Sequence, residues 1–370
     1  MRGTLIVTND FPPRQGGIQS FVHGLASLLP PGQMAVYAPA WDGAKAFDSR
    51  QPFPVVRHPT SLMLPVPAVA RRAVAALHEY DCDTVMFGAA APLGLLAPTL
   101  RRAGATRLVA LTHGHEAGWA ALPGARQLLH RIGETVDVVT YLGEYFRARL
   151  ARALSPQAAA RMVRLAPGVD LATFRDARPA AGLPAGRLVL CVSRLVPRKG
   201  QDTLIRAWPA VRAAIPDAQL LLVGDGPYHG ELHRLAGQLG VAGSVTFTGS
   251  VPADDLPGYY AASDVFAMPC RTRRAGLDVE GLGIVYLEAS SAGLPVIGGD
   301  SGGAPDAILD GETGYVVPGR SGPALAERIT GLLADPDQAR AMGERGRAWI
   351  EQEWDWSRVA GRLSALLDHA

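Results

Sequence analysis

At 370 residues, with 48% apolar and 19% charged side chains, the chain exceeds one hydrophobic core and is too apolar for disorder, so two globular domains are expected. No apolar run reaches the ~20 residues that cross a bilayer, and Cys82, Cys191 and Cys270 lack CxxC spacing, which predicts free core thiols in a reducing cytoplasm. The net charge of +2 conceals a division, with 17 Lys+Arg against 10 Asp+Glu over residues 1–168 and 19 against 24 beyond. The basic first half suits an anionic contact such as a membrane surface; solvated faces of Arg-rich helices account for it equally well. Only two of the 36 basic residues are lysines, Lys45 and Lys199. A chain this biased toward arginine keeps lysine where a compact ammonium differs chemically from a planar fork.

The opening MRGTLIVTND runs straight into a strand pattern and carries no secretory core or cleavage site. Strands are expected at Leu5–Thr8, Ala35–Ala38, Val55–His58, Thr84–Phe87, Leu108–Thr112 and Val136–Tyr141. Between the first two, Ile18, Phe21, Val22, Leu25, Leu28 and Leu29 recur at helical spacing, so this stretch is an amphipathic helix. Strand, glycine turn, helix, strand is a βαβ unit, and several in series imply a parallel sheet covered on both faces. The grammar then restarts, with strands expected at Leu188–Val192, Gln219–Val223, Val245–Phe247, Val265–Met268, Pro295–Ile297 and Tyr315–Val317, and helices over Asp202–Ala214 and Gly230–Leu239. The joint lies at Ala166–Asp170 and the Pro/Gly/Ala-rich stretch that follows. The expected organisation is an α/β protein of two Rossmann-like doubly wound domains, residues 1–168 and 169–350. Residues 351–370 form a terminal helix returning to the first. Ligands bind such sheets beyond the carboxyl ends of the strands, which predicts a site in a cleft between the lobes.

Four segments carry polar chemistry at such positions. The first, Asn9 to Gln19, includes Asp10 and the pair Gly16–Gly17, which opens the first helix. Paired glycines let backbone N–H groups approach a phosphate at the positive end of a helix, although a plain tight turn has the same sequence. The spacing is not the G-x-G-x-x-G of a dinucleotide site, which argues against a nicotinamide enzyme. The second, Thr112-His113-Gly114-His115-Glu116, follows the fifth strand. No further metal-ligand spacing accompanies its two histidines, so no metal is expected, and His113 suits a sugar hydroxyl better than His115 does.

The third segment, Ser193 to Gly200, places Arg194 and Lys199 in a loop before a helix, where two cations can neutralise a diphosphate. The fourth runs from Glu280 through Gly281, Leu282, Gly283, Ile284 and Val285 to Glu288. Read as a loop entering a helix, it offers Glu280 to a sugar, the N–H groups of residues 281–285 to a phosphate, and Glu288 to a ribose diol. On spacing alone, a capping glutamate and a surface glutamate are the better reading.

Together the four segments resemble the fourth family of retaining glycosyltransferases, of the two-lobed GT-B fold. Its signatures match Gly16-Gly17-Ile18-Gln19, Arg194 to Lys199 and Glu280 to Glu288, with Gly168-Val169-Asp170 and the turn Gly224-Asp225-Gly226-Pro227 also similar. The likeness covers nearly the whole chain. Within that family, TNDFPPRQGGIQ, FGAAAPL, THGHEAGW, SRLVPRKGQD and RAGLDVEGLGIVYLEA resemble the actinobacterial mannosyltransferases that act on mannosylated inositol lipids.

The resemblance implies a hexosyltransferase with GDP-mannose as donor, a phosphatidylinositol mannoside as acceptor and neither cofactor nor metal. It places Gly16, Gly17, Arg194, Lys199, residues 281–285 and Glu288 on the donor, and His113 and Glu280 at the transferred sugar. Asp10, Gln19 and His113 go to the acceptor. A UDP-glucose or UDP-N-acetylglucosamine enzyme acting on a soluble product or another glycoconjugate is the alternative. No nucleic-acid partner is expected. The protein would be cytoplasmic and peripheral on the inner membrane face. Arg71, Arg72, Arg101, Arg102, Arg107, Arg126 and Arg131, with Leu62-Met63-Leu64 as an exposed apolar segment, would meet anionic lipid.

Overall fold

The computed structural model describes residues 3–114 and 116–368; His115 lies outside the described residues. The chain forms two compact units, Met1–Pro167 with Ser357–Ala370, and Gly168–Trp356.

The first unit is built on seven parallel strands: β1 (Gly3–Val7), β2 (Met34–Pro39), β3 (Val55–His58), β4 (Cys82–Phe87), β5 (Arg107–Ala110), β6 (Val138–Tyr141) and β7 (Val163–Arg164). Their order is β3-β2-β1-β4-β5-β6-β7. The second unit repeats the plan with β8 (Leu188–Val192), β9 (Gln219–Val223), β10 (Val245–Gly249), β11 (Val265–Met268), β12 (Val296–Gly299) and β13 (Gly314–Val317), ordered β10-β9-β8-β11-β12-β13. The expected two-fold α/β plan is present, each sheet parallel and doubly wound.

The central strands are apolar on both faces because helices cover both. β1, β2 and β8 are buried at every position, which is how a parallel sheet hides its unalternating Val/Ile/Leu runs. In the first unit the helix Gly17–Ser27 buries Phe21, Val22 and Leu25 as the spacing predicts; it stops at Ser27, so Leu28 and Leu29 lie beyond it. The two-residue strand β7 was too short to show a period and escaped the sequence reading. The terminal helix Trp356–Leu367 buries Val359, Leu363, Leu366 and Leu367, and the Arg107 guanidinium donates to the Leu366 carbonyl at 3.0 and 3.1 Å. In the second unit the helix Gln201–Ala214 seats Trp208 in the core, its indole N–H donating to Ser244 Oγ at 3.0 Å.

Each strand order reverses once, between β1 and β4 in one sheet and between β8 and β11 in the other. Loops leaving the carboxyl ends of strands at a reversal point run in opposite directions and open a crevice. Asn9–Gly16 follow β1, Ser193–Gly200 follow β8, and Pro269–Gly283 follow β11. Asp10, Gly16, Arg194, Lys199, Glu280 and residues 281–283 therefore come from the places where this fold leaves room for a ligand, whereas His113 follows β5 and Glu288 lies within the helix Ile284–Ser291.

Candidate active site

In the second unit, the loop after β8 is fixed by its backbone. Ser193 and Leu195 donate N–H groups to Val223 and Asp225 at 3.0 Å each, and buried Gln201 reaches back to Ser193 Oγ at 2.8 Å and to the Arg194 carbonyl at 3.1 Å. Pro197–Lys199 form one 3₁₀ turn, which ends at Gly200 in the left-handed region (φ 78). A side chain there would lie 2.0 Å from the Pro269 carbonyl oxygen, so only glycine fits both the angle and the contact. This turn points Lys199 inward while leaving Arg194 exposed.

Lys199 Nζ stands 2.9 Å from Glu280 Oε2, the two side chains being 13% and 7% exposed. Arg198 adds a longer contact to the same oxygen at 3.9 Å, pairs with Asp278 at 3.3 Å and donates to the Val279 carbonyl. Glu280 is held from below by the loop after β12. Its N–H donates to Ser301 Oγ at 3.2 Å, and its carbonyl accepts from the Gly303 N–H at 3.0 Å. The structure thus joins the third and fourth sequence segments through one shielded ion pair. Such a pair is poor as a source of stability, because desolvating both charges offsets most of their attraction; it is well placed as a charge reservoir.

Immediately after Glu280 the chain enters the helix Ile284–Ser291 through Gly283, which is left-handed (φ 77). The helix has no side-chain cap, so N–H groups of its first turn remain open to an anion. Tyr286 anchors that turn, its hydroxyl donating to the Met268 carbonyl at 2.7 Å and lying 3.2 Å from Cys270 Sγ. Glu288 lies one turn further, one carboxylate oxygen accepting from the Tyr260 hydroxyl at 2.7 Å. Glu288 is therefore no free surface glutamate.

Burial raises the Glu288 carboxyl above its ordinary value, the Tyr260 bond opposing this only in part. A raised folded-state value favours the neutral acid, so this contribution to stability is present at acid pH and is lost as pH rises through the raised value. Glu288→Gln should accordingly melt above the parent at pH 7, with the difference closing below the carboxylate range. The ribose contact that the resemblance implies would also make it bind nucleotide about tenfold more weakly, through loss of a charged acceptor. Melting curves across pH and a donor titration check both halves.

In the first unit, Gln19 Nε2 donates to Asp10 Oδ1 at 2.8 Å, and a side chain on Gly16 would meet Gln19 Oε1 at 2.2 Å. Gln19 is buried and positions Asp10; the space around Gly17 is open. His113 is buried after β5, its Nε2 donating to the Gly88 carbonyl and its ring edge-to-face with Phe21 at 5.8 Å. That bond fixes the proton on Nε2. Asn9 grips Met63 by both backbone groups, at 2.9 and 2.7 Å. Leu62 and Leu64 flank it at 56% and 49% exposed, so the apolar segment is two residues wide and not three, Met63 being fully buried. Of the arginines expected at lipid, Arg107 holds the terminal helix and Arg101 pairs with Asp137 at 2.8 Å; Arg71, Arg102, Arg126 and Arg131 are exposed.

Sequence reasoning missed Arg198, Asp278, Tyr260 and the loop Ser301–Gly303. Only the last left a signal, in the Gly-rich run Gly298-Gly299-Asp300-Ser301-Gly302-Gly303 after a strand. All three cysteines are free and buried, with Cys191 and Cys270 raised by burial to about 12 and about 11, so neither offers a thiolate nucleophile at neutral pH. Among the described residues, no group of three or more His, Cys, Asp or Glu is arranged to hold a metal.

The family "Glycosyltransferase Family 4" matches residues 15–173, and "Glycosyl transferases group 1" matches residues 175–349. A GDP-mannose-dependent alpha-(1-6)-phosphatidylinositol monomannoside mannosyltransferase of Mycolicibacterium smegmatis is 54% identical, over 98% of this chain and 97% of its own. The chain belongs to glycosyltransferase family 4. A monoacylated-acceptor mannosyltransferase of Corynebacterium glutamicum is 46% identical to this glycosyltransferase over 99% of the chain and 98% of its own length. The Anabaena protein HepE, solved with UDP, superposes with a TM-score of 0.82 over 99% of each chain at 21% identity, and so shares the fold.

Proposed function

We infer that this glycosyltransferase moves mannose from GDP-mannose to a mannosylated phosphatidylinositol, as the relatives at 46–54% identity are named for doing. The observation that carries the chemical part is the Lys199–Glu280 pair beside the uncapped first turn of Ile284–Ser291. An arriving diphosphate competes with Glu280 for the ammonium and meets the helix N–H groups. The released carboxylate is then free to accept hydrogen bonds from sugar hydroxyls. When the anomeric C–O bond breaks, negative charge collects on the departing phosphate, and the ammonium, Arg194 and the helix terminus offset it. The acceptor hydroxyl attacks from the same face, and its proton passes to the phosphate oxygen that has just left, so configuration is retained without a covalent sugar–enzyme intermediate.

These cations supply the charge that a divalent metal supplies elsewhere. Transfer should therefore survive EDTA in a donor panel of GDP-mannose, UDP-glucose and UDP-N-acetylglucosamine with a phosphatidylinositol mannoside in micelles. The product should gain one hexose from GDP-mannose alone, by mass spectrometry. Transfer from a UDP-sugar in its place would move the enzyme to the other donor class, and loss of activity with EDTA, restored by a metal, would end the metal-free mechanism.

No helix among the described residues is long and apolar enough to cross a membrane. We further propose a peripheral contact through Leu62, Leu64 and the exposed pair Arg71 and Arg72 that follows them in the chain. At ~1 kcal/mol per basic residue near an anionic surface, plus two inserted leucines, that contact is reversible. Leu62→Ser with Leu64→Ser should lower co-sedimentation with anionic vesicles several-fold; equal binding to neutral vesicles by the parent protein would remove the electrostatic part.

A further inference from the structure

Among the described residues Arg271, in the loop after β11, is the only buried arginine. Its guanidinium lies 2.8 Å from Asp202 Oδ1, the two side chains being 10% and 14% exposed, and donates to Thr203 Oγ1 at 3.0 Å. Thr203 passes the bond on, its hydroxyl donating to the Gly319 carbonyl at 3.0 Å. Asp202 and Thr203 lie in the first turn of the helix Gln201–Ala214, directly after the turn that carries Lys199. On the other side of Lys199, the Arg198 carbonyl accepts from the Arg271 backbone N–H at 2.8 Å. One residue therefore grips the chain both before and after Lys199.

A buried pair of this kind is a weak source of stability, since desolvation of both charges offsets their attraction and apolar residues of similar volume often serve as well. Nor is the pair perfected for stability, because Arg271 Nε is buried with no hydrogen-bond partner among the described residues. What it does supply is direction. A guanidinium fork with Asp202 on one nitrogen and Thr203 on another admits one placement of the helix start on the β11 loop, whereas an apolar contact admits several. The Lys199 side chain leaves the chain between these two grips and meets Glu280, which comes from further along the same loop. A shift of the helix start would carry the ammonium away while Glu280 kept its own supports at Ser301 and Gly303.

We propose that Arg271 is a positioning residue for Lys199. Through Asp202 and Thr203 it sets where the ammonium stands, and it acts on the reaction only through that ammonium. This role rests on the mannosyl-transfer reading, in which Lys199 meets the departing diphosphate.

Arg271→Met combined with Asp202→Leu replaces the pair by apolar side chains, a change that buried pairs commonly tolerate without loss of stability. The double variant should melt close to the parent yet turn over about 10- to 100-fold more slowly, the cost of misplacing a catalytic group by roughly 1 Å. Donor KM should stay within about twofold, because the lost interaction grows with the charge on the leaving phosphate. Arg271→Lys keeps a charge beside Asp202 but not the fork, and its turnover should fall between those of parent and double variant. Introduced into Lys199→Ala, the same changes should cost no more than about twofold further, since a residue acting through Lys199 has nothing left to place. Parent-like turnover in the folded double variant would overturn the proposal. So would a full additional loss in the Lys199→Ala background, which would mark a general effect on the fold. Should the apolar pair fail to fold, Arg271→Lys takes its place throughout. Absence of mannosyl transfer by the parent, or normal turnover of Lys199→Ala, would mean that the mannosyl-transfer reading or its lysine had failed. A crystal structure of the variant then decides the positioning by itself: Lys199 Nζ drawn away from Glu280 Oε2 supports it, and the parent's 2.9 Å separation refutes it.

Discussion

Lys199→Ala should lower mannosyl turnover by about 10²–10³, the loss expected when one pre-placed donor to a developing negative charge is removed. The size follows from where Lys199 sits. Its ammonium is largely shielded from water, 2.9 Å from Glu280, at the point where the β8 loop and the β11 loop meet. Water cannot replace a charge in such a place as it would on the surface, and the Gly168–Trp356 unit holds no other lysine, Lys45 belonging to the first unit. The effect falls mainly on kcat, since the charge being stabilised grows as the bond to phosphate breaks. Lys199→Arg should recover only part of it, because a planar fork cannot take the position of a compact ammonium against Glu280. Steady-state kinetics with GDP-mannose measure both variants. Turnover within about twofold of the parent for Lys199→Ala, far below the loss expected for such a donor, would take the lysine out of the mechanism.

The second large effect belongs to a residue that touches no substrate. Gly302→Ala should destabilise the Gly168–Trp356 unit by about 3 kcal/mol and weaken donor binding at the same time. Gly302 is left-handed at φ 59, and a Cβ there would lie 2.0 Å from the carbonyl oxygen of Glu280. A non-glycine residue in that conformation costs about 1 kcal/mol, and the forced contact about 2 more. The clash is with backbone, so no side-chain rotation relieves it. The chain must move, and what moves is Glu280, whose N–H rests on Ser301 and whose carbonyl rests on the Gly303 N–H. A melting temperature lower by roughly 10 °C is expected, with nucleotide affinity reduced in parallel. A normal affinity in the folded variant would show that Glu280 is not positioned by this loop.

The sequence made the scaffold legible and the site only half so. β8, β9 and β11 run between the residues expected, because unbroken Val/Leu/Phe runs between glycine and polar turns admit little else in a parallel sheet. Strand ends moved by a residue or more where register, not side-chain type, decides pairing: β5 stops at Ala110 and β4 begins at Cys82. The cationic loop and the acidic segment could be named from chain order and family likeness, yet spacing alone favoured a capping and a surface glutamate. That reading misses because Lys199 and Glu280 are joined through the third dimension, by the adjacency of β8 and β11 in the sheet. The helpers stayed hidden for the same reason. Tyr260 supports Glu288 from another helix, and Arg198, beside Lys199, reads as one more basic residue until Asp278 is seen to hold it.

A crystal of the enzyme with GDP-mannose tests the central claim most directly. The account predicts the diphosphate within about 3 Å of Lys199 Nζ, against the first turn of Ile284–Ser291, with Glu280 turned from the ammonium to the sugar. A diphosphate bound away from Lys199, with the Lys199–Glu280 pair left intact, would contradict it.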